Sequence, residues 1–189
     1  MPDYLRFRVR LLDVQADLWR RFLIKKAATF ENLHMAIQDA CGWQNYHLFA
    51  FRTPDNREVI AGIPDDEWGP PDPDASRVKL TSYFGARTTG QCIYEYDFGD
   101  SWIHEVSLEC IEKHDEKFVR RLLDGAGAFP PEDCGSTPGY ERCVAAITEK
   151  DWDEEEHGDD EERRELLVWL GDWRPDTFDL AATKRKFDI

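Results

Sequence analysis

The sequence predicts an α+β fold in a single domain, 1–189, and three observations carry that prediction. An arginine–apolar alternation opens the chain, a stretch with helical apolar spacing follows, and a second, aromatic-rich alternation at 92–110 turns back on itself. A length of 189 residues is enough to bury a substantial core. A hydrophobic share of 41%, with 13% aromatic residues, separates the chain from disordered ones.

Leu5, Phe7, Val9 and Leu11 alternate with Arg6, Arg8 and Arg10, which describes a half-buried strand with one charged face. "WRRFLIKKA" reads as a second strand. In "TFENLHMAIQDACGW" the period changes: Phe30, Leu33, Ile37 and Cys41 share a helical face, Thr29 is placed to cap it and Gly42 to end it. "HLFAFR" is a third strand, and the turn "TPDNRE" leads to a short fourth, "VIAG". This ββαββ first half is compatible with a β-grasp-like, mixed or antiparallel sheet carrying one helix.

Residues 64–76, "PDDEWGPPDPDAS", hold four prolines and five acids and are expected as a loop. "RVKLTSYF" reads as a strand or a short helix, and "KFVRRLL" as a strand or a helical turn. Beyond the Gly/Pro-rich loop "GAGAFPPEDCGSTPGY", C-terminal helices are expected to pack on the sheet. Pro138 suits the first turn of one, Gly171 the end of the next, and Lys184, Arg185 and Lys186 a helix C-terminus, where cations are favoured.

Between these halves lies "YEYDFGDSWIHEV", residues 94–106. Cys92, Tyr94, Tyr96 and Phe98 form the apolar set of one arm, and Trp102, His104, Val106, Leu108 and Cys110 share the parity of the other. A two-residue turn would send the two sets to opposite faces, whereas a three-residue loop, Gly99-Asp100-Ser101, makes one apolar face. That register pairs Phe98 with Trp102 and Tyr96 with His104, turns His104 inward, places Asp97 in a strand on the other face and sets Asp100 at the tip. The "DFG" within it is no kinase signature, since no G-x-G-x-x-G loop, lysine strand or H-R-D accompanies it.

A formal net charge of −15 repels phosphate backbones and argues against a nucleic-acid partner. Residues 149–165 alone hold 11 acids and 3 bases; this acidic segment, centred on 149–163, reads as a solvated loop-to-helix stretch and lacks the EF-hand pattern. The arginine stripe at 6, 8 and 10 reads as a solvated face, set against that same acidic segment. Five cysteines without a C-x-x-C pair fit reduced thiols in a cytoplasm, not a zinc ribbon. No apolar run is long enough for a membrane span, and the first residues lack the apolar core of a signal peptide.

Five stretches together, "LWRRFLI", "TFENLHMAIQDACGWQNYHLF", "YEYDFGDSWIHEVSLE", "FPPEDCGSTPGYE" and "LLVWLGDWRPDTFDL", resemble the plasmid pRiA4b ORF-3-like domain family, over about residues 4 to 180. The sequence departs from the family's pattern at Ser136, where a second glycine is more usual. The resemblance implies a small α+β fold of generally unknown function, with an insertion-element or resolvase-like label that suggests an accessory protein of mobile elements. Recombinase chemistry itself is not supported: the first serine is Ser76, and no helix-turn-helix pattern is present.

The polar residues on these motifs are His34, His47, Asp97, Asp100, His104, Glu132, Asp133 and Cys134, and with Tyr96 and Trp102 they form the candidate pocket. Each histidine alone reads as a core imidazole bonded to a carbonyl. Three in motif positions read as one shared pocket, chemically adequate for a divalent transition metal held by His34, His47 and His104. Asp97 and Asp100 are a candidate carboxylate pair for hydrolysis, with Asp100 also suited to holding the turn. "PPEDCG" reads as a Pro-set turn with a helix-capping acid, and Cys134 as a nucleophile only if a histidine lies near it. The expected function is a cytoplasmic binding or interaction module for a small ligand or protein partner; the alternative is a metal-dependent hydrolase.

Overall fold

In a computed structural model, which describes residues 1–64, 71–85, 90–150 and 152–189, one antiparallel sheet of seven strands organises the chain in the order β4-β3-β5-β6-β1-β2-β7. The strands are β1 (Asp3–Leu11), β2 (Trp19–Lys25), β3 (Phe49–Arg52), β4 (Val59–Gly62), β5 (Gly90–Tyr96), β6 (Trp102–Lys113) and β7 (Arg120–Ala126). The helices are α1 (Phe30–Cys41), α2 (Leu80–Phe84), α3 (Ser136–Thr148), α4 (Glu154–His157), α5 (Asp160–Leu170) and α6 (Leu180–Phe187). The ambiguous "RVKLTSYF" thus contains a short helix, and "KFVRRLL" leads into an edge strand.

The opening alternation behaves as its chemistry requires. Leu5, Phe7, Val9 and Leu11 are buried, while the arginines between them point to the other face. There Arg6 and Arg21 both bind Glu109, and Arg6 also binds Glu112 at 2.6 Å. Arg6 is therefore neutralised within the sheet by β6, and Arg8 lies 3.5 Å from Asp17; no ion pair joins the stripe to the 149–165 segment among the described residues. Helix α1 starts at a capping box, Thr29 accepting from the Asn32 N–H and Asn32 from the Thr29 N–H, and stops at Gly42 with φ +85°.

The ββαββ order is present, but its two hairpins are not neighbours. The β5–β6 hairpin enters between β3 and β1, so the rings of the central strands line up in rows across the sheet. Phe51, Tyr94, His104 and Leu11 form one row, and Phe49, Tyr96 and Trp102 the next. The faces of these residues form the core, together with α1, Phe84 and Phe187.

The hairpin's parity is as expected, with one apolar face and His104 inside, but its register differs. Tyr96 pairs with Trp102 and Tyr94 with His104, not Phe98 with Trp102 and Tyr96 with His104. The cause is Asp97. It leaves the strand at φ +56°, its Oδ1 accepts from the Gly99 N–H at 3.0 Å and lies 3.4 Å from the Asp100 nitrogen, and its carbonyl accepts from the Ser101 N–H. Asp97 is a turn residue and not a strand residue. The connection lengthens to five residues, 97–101, still an odd number, so the face survives while Phe98 is pushed out to 47% exposure.

Of the expected 64–76 loop, residues 65–70 lie outside the described residues, as does Asp151 of the acidic segment. Residues 73–75 are tied to β4 through Gly62. The acidic segment becomes α4 and the start of α5, whose N-cap Asp159 forms a capping box with Glu162.

Candidate functional site

Three segments distant in sequence meet at the end of the sheet where the hairpin turns: 43–47 after α1, the tip 97–101, and 130–136 leading into α3. Trp43 fixes the first to the third, its indole donating to the Pro130 carbonyl at 2.9 Å. Glu132 then ties the third segment to the first and to the end of β5, next to the tip. One oxygen accepts from the Gln44 N–H at 2.6 Å and the other from the Tyr96 hydroxyl, which itself accepts from the Tyr46 N–H at 3.0 Å. Burial first, then the bond to Glu132 and its charge, hold the Tyr96 phenol well above its usual range.

Asp100 sits at the tip as expected and ties it to α3: its carboxylate accepts from the Gly135 N–H at 3.3 Å, and its carbonyl accepts from the Ser136 hydroxyl at 2.8 Å. No acid of "PPEDCG" caps α3, whose N-cap is Gly135 in a left-handed conformation; that expectation is corrected. The hairpin tip instead holds the two residues at the start of the helix. Ser136 has φ +60°, which explains why glycine suits this position, and its hydroxyl bond is available only because it is serine.

The three histidines go to different environments. His34, on α1, is buried; its Nδ1 lies 2.8 Å from the Tyr94 hydroxyl, its Nε2 2.7 Å from Asn45 Oδ1, and its ring stacks on Phe49. Gln38 closes the network, donating to the Tyr94 hydroxyl and accepting from the Asn45 N–H. Both nitrogens of His34 are thus used. His104 is buried among Trp43, Tyr94 and Phe129, with Nδ1 3.0 Å from the Trp102 carbonyl and Nε2 unpartnered among the described residues. Burial lowers both rings to about 4, against the smaller opposing effects of their hydrogen bonds. They are neutral core imidazoles.

His47 alone reaches solvent. Its Nε2 lies 2.7 Å from Asp133 Oδ1 and 3.6 Å from Asp97 Oδ2, and its ring stands edge-on to Tyr96. Burial opposes the charged ring, but the hydrogen bond to Asp133 and the charges of Asp97, Asp133 and Glu132 outweigh it and raise the pKa. His47, Asp97 and Asp133 form the one group of three metal-ligating side chains among the described residues, each offering an atom within 4.8 Å of the others. The expected set of His34, His47 and His104 does not assemble: α1 and β6 carry two of them into the core, and only the loop after α1 carries the third to the surface.

Cys134 is half-buried and hydrogen-bonded to Cys143, which raises its pKa, as burial does further. No histidine hydrogen-bonds it among the described residues, so the partner expected of a nucleophile is not bonded to it there. Trp102 is a buried wall behind Trp43. Sequence reasoning missed Gln38 and Asn45. Gln38 stands one turn after His34, a spacing that places both on one side of α1.

A family model described as "Plasmid pRiA4b ORF-3-like protein" matches residues 3–182. The chain is 35% identical over 171 residues to the "Uncharacterized protein y4hQ" of Sinorhizobium fredii (strain NBRC 101917 / NGR234), covering 90% of this chain and 82% of that one. The "Crystal Structure of Protein of Unknown Function MM3350 from Methanosarcina mazei Go1" superposes with a TM-score of 0.77 at 30% identity, covering 95% of both chains.

Proposed function

Since the chain belongs to the plasmid pRiA4b ORF-3-like protein family, a family of unknown function, we propose a function from the chemistry of the site itself: a binding module whose ligand is a divalent transition-metal ion. One observation carries the reading. His47 Nε2, Asp97 Oδ2 and Asp133 Oδ1 converge from three separate segments, and the rest of the assembly, Glu132 above all, holds those segments together.

The donor set fits such an ion. One imidazole nitrogen with two carboxylates suits manganese, zinc or nickel better than calcium, which takes oxygen ligands. Asp97 spends Oδ1 on its own turn and keeps Oδ2 toward His47, so its free oxygen is oriented before any ion arrives. The raised pKa of His47 means that an ion must displace a proton there, so binding strengthens as pH rises through that value.

Titration calorimetry of the purified chain with manganese, zinc and nickel tests the proposal. One ion per chain is expected, with binding lost in the His47→Ala and Asp133→Asn double variant and retained in Cys134→Ser. Absence of saturable binding by the unaltered chain refutes it. A metal-dependent hydrolase is the second reading. It is favoured by the exposure of His47 and Asp133, 30% and 60% of their side chains, which leaves the ion's remaining positions to water. Hydrolysis of an activated ester by the loaded chain but not by the double variant separates it from simple binding.

A further inference from the structure

A second cavity, unrelated to the hairpin tip, opens between the C-terminal end of α1, the 128–129 segment and α6. It measures about 240 Å³, and its walls include Arg20, Phe129, Trp173, Thr177, Thr183 and Lys186. Arg20 is the unusual member. It shares strand parity with Leu18, Phe22 and Ile24, so it lies in a row of apolar residues on the core side of β2, and it is only 2% exposed.

A buried guanidinium normally has a carboxylate partner. Arg20 has none among the described residues, although acids outnumber bases 39 to 24 in this chain. It donates instead to four carbonyls, those of Trp19, Ala40, Ala126 and Gly127, and lies over Phe129 and Phe178. Four of its five N–H groups are thereby occupied and its full positive charge is uncompensated. Lys186 on the same cavity also has no ion pair among the described residues. Asp39, the acid in the wall, is spent on Arg120.

We propose that this cavity binds a small organic monocarboxylate, its anionic end between Arg20 and Lys186 and its apolar body against Phe129 and Trp173. Phosphate fits less well. Its double charge calls for several converging donors, whereas Arg20 has one N–H left. The volume is ample for a small acid such as benzoate.

Benzoate is the probe, with inorganic phosphate and chloride at matched ionic strength as comparisons. The full chain is titrated with each, followed by amide and indole NMR. Benzoate is expected to shift the Trp173 indole N–H, which donates to the Phe129 carbonyl, in a saturable manner, with phosphate and chloride ineffective. Arg20→Met removes the donors of four carbonyls and is prone to unfolding, so the deciding variant is Lys186→Glu on the cavity rim. It is expected to weaken benzoate binding about tenfold, the equivalent of ~1.4 kcal/mol, while leaving metal binding at His47 unchanged. No saturable shift with benzoate, tighter binding of phosphate than of benzoate, or an unchanged Lys186→Glu titration would each overturn the proposal.

Discussion

Acidification from pH 7 to pH 4.5 is predicted to destabilise the folded chain through two histidines buried as neutral rings. His34 faces Tyr94, Asn45 and Phe49, and His104 faces Trp43, Tyr94 and Phe129, so no charged side chain among the described residues bonds either imidazole. Burial holds both at about 4, against 6.5 for the ordinary imidazole. A base whose folded-state pKa is depressed leaves the unfolded chain to take up protons first. Stability is therefore complete above about pH 6.5 and falls as pH drops toward 4, where the folded rings begin to protonate too. At about 1.4 kcal/mol per pKa unit, each ring contributes roughly 2–3 kcal/mol by pH 4.5, and the pair about 5. That is on the order of the whole stability of an ordinary domain, about 5–15 kcal/mol. The lowered carboxyls of Asp55, Asp74 and Glu112 act in a separate window, below their ordinary values of 3.8 to 4.5. Urea denaturation followed by tryptophan fluorescence measures the loss directly, and imidazole NMR assigns it. The reasoning fails if the urea midpoint is flat from pH 7 to pH 4.5, or if either buried ring titrates near 6.5.

Other perturbations separate the roles assigned to single residues. Asp97→Asn preserves a turn acceptor and tolerates φ +56°, so it should fold as the unaltered chain does yet lose metal binding; Asp97→Ala should also cost about 1–3 kcal/mol in urea denaturation. Tyr94→Phe removes the hydroxyl that His34 and Gln38 share, leaving two buried groups without their partner, and should cost about 1–3 kcal/mol by the same measurement. Gly139→Ala would place a β-carbon 1.8 Å from the Cys134 carbonyl oxygen. The 130–136 segment cannot keep its path against α3, and a loss of about 2–3 kcal/mol should appear together with weaker metal binding.

How much of this was legible in the sequence depends on how local the cause is. β1 and α1 are set by their own periodicity and caps, and both stand where the pattern puts them. The hairpin's single apolar face was legible for the same reason, since parity is a property of alternation. Its register was not, because Asp97 adopts a left-handed turn that alternation does not reveal, and that shift moved His104 from Tyr96 to Tyr94. The position of the β5–β6 hairpin inside the sheet is a matter of long-range pairing and has no local signature.

The site divides in the same way. That residues 97, 100, 132 and 133 belong to one neighbourhood was suggested by their motifs, but the fate of each histidine was not. His34 and His104 lie on apolar rows, and those rows are buried. His47 follows the end of a helix, and the loop there turns it outward. Arg20 left a legible trace that went unused: a charged residue in the apolar parity of β2 is a violation of alternation, and such violations mark either a staple or a site.

The convergence of His47, Asp97 and Asp133 at the hairpin tip carries the proposed function. Crystals of the chain soaked in manganese and measured near the manganese absorption edge would test it directly. One anomalous peak between His47 Nε2, Asp97 Oδ2 and Asp133 Oδ1 is the result predicted. A map with no peak there, or with His47 turned away from both carboxylates, would contradict it.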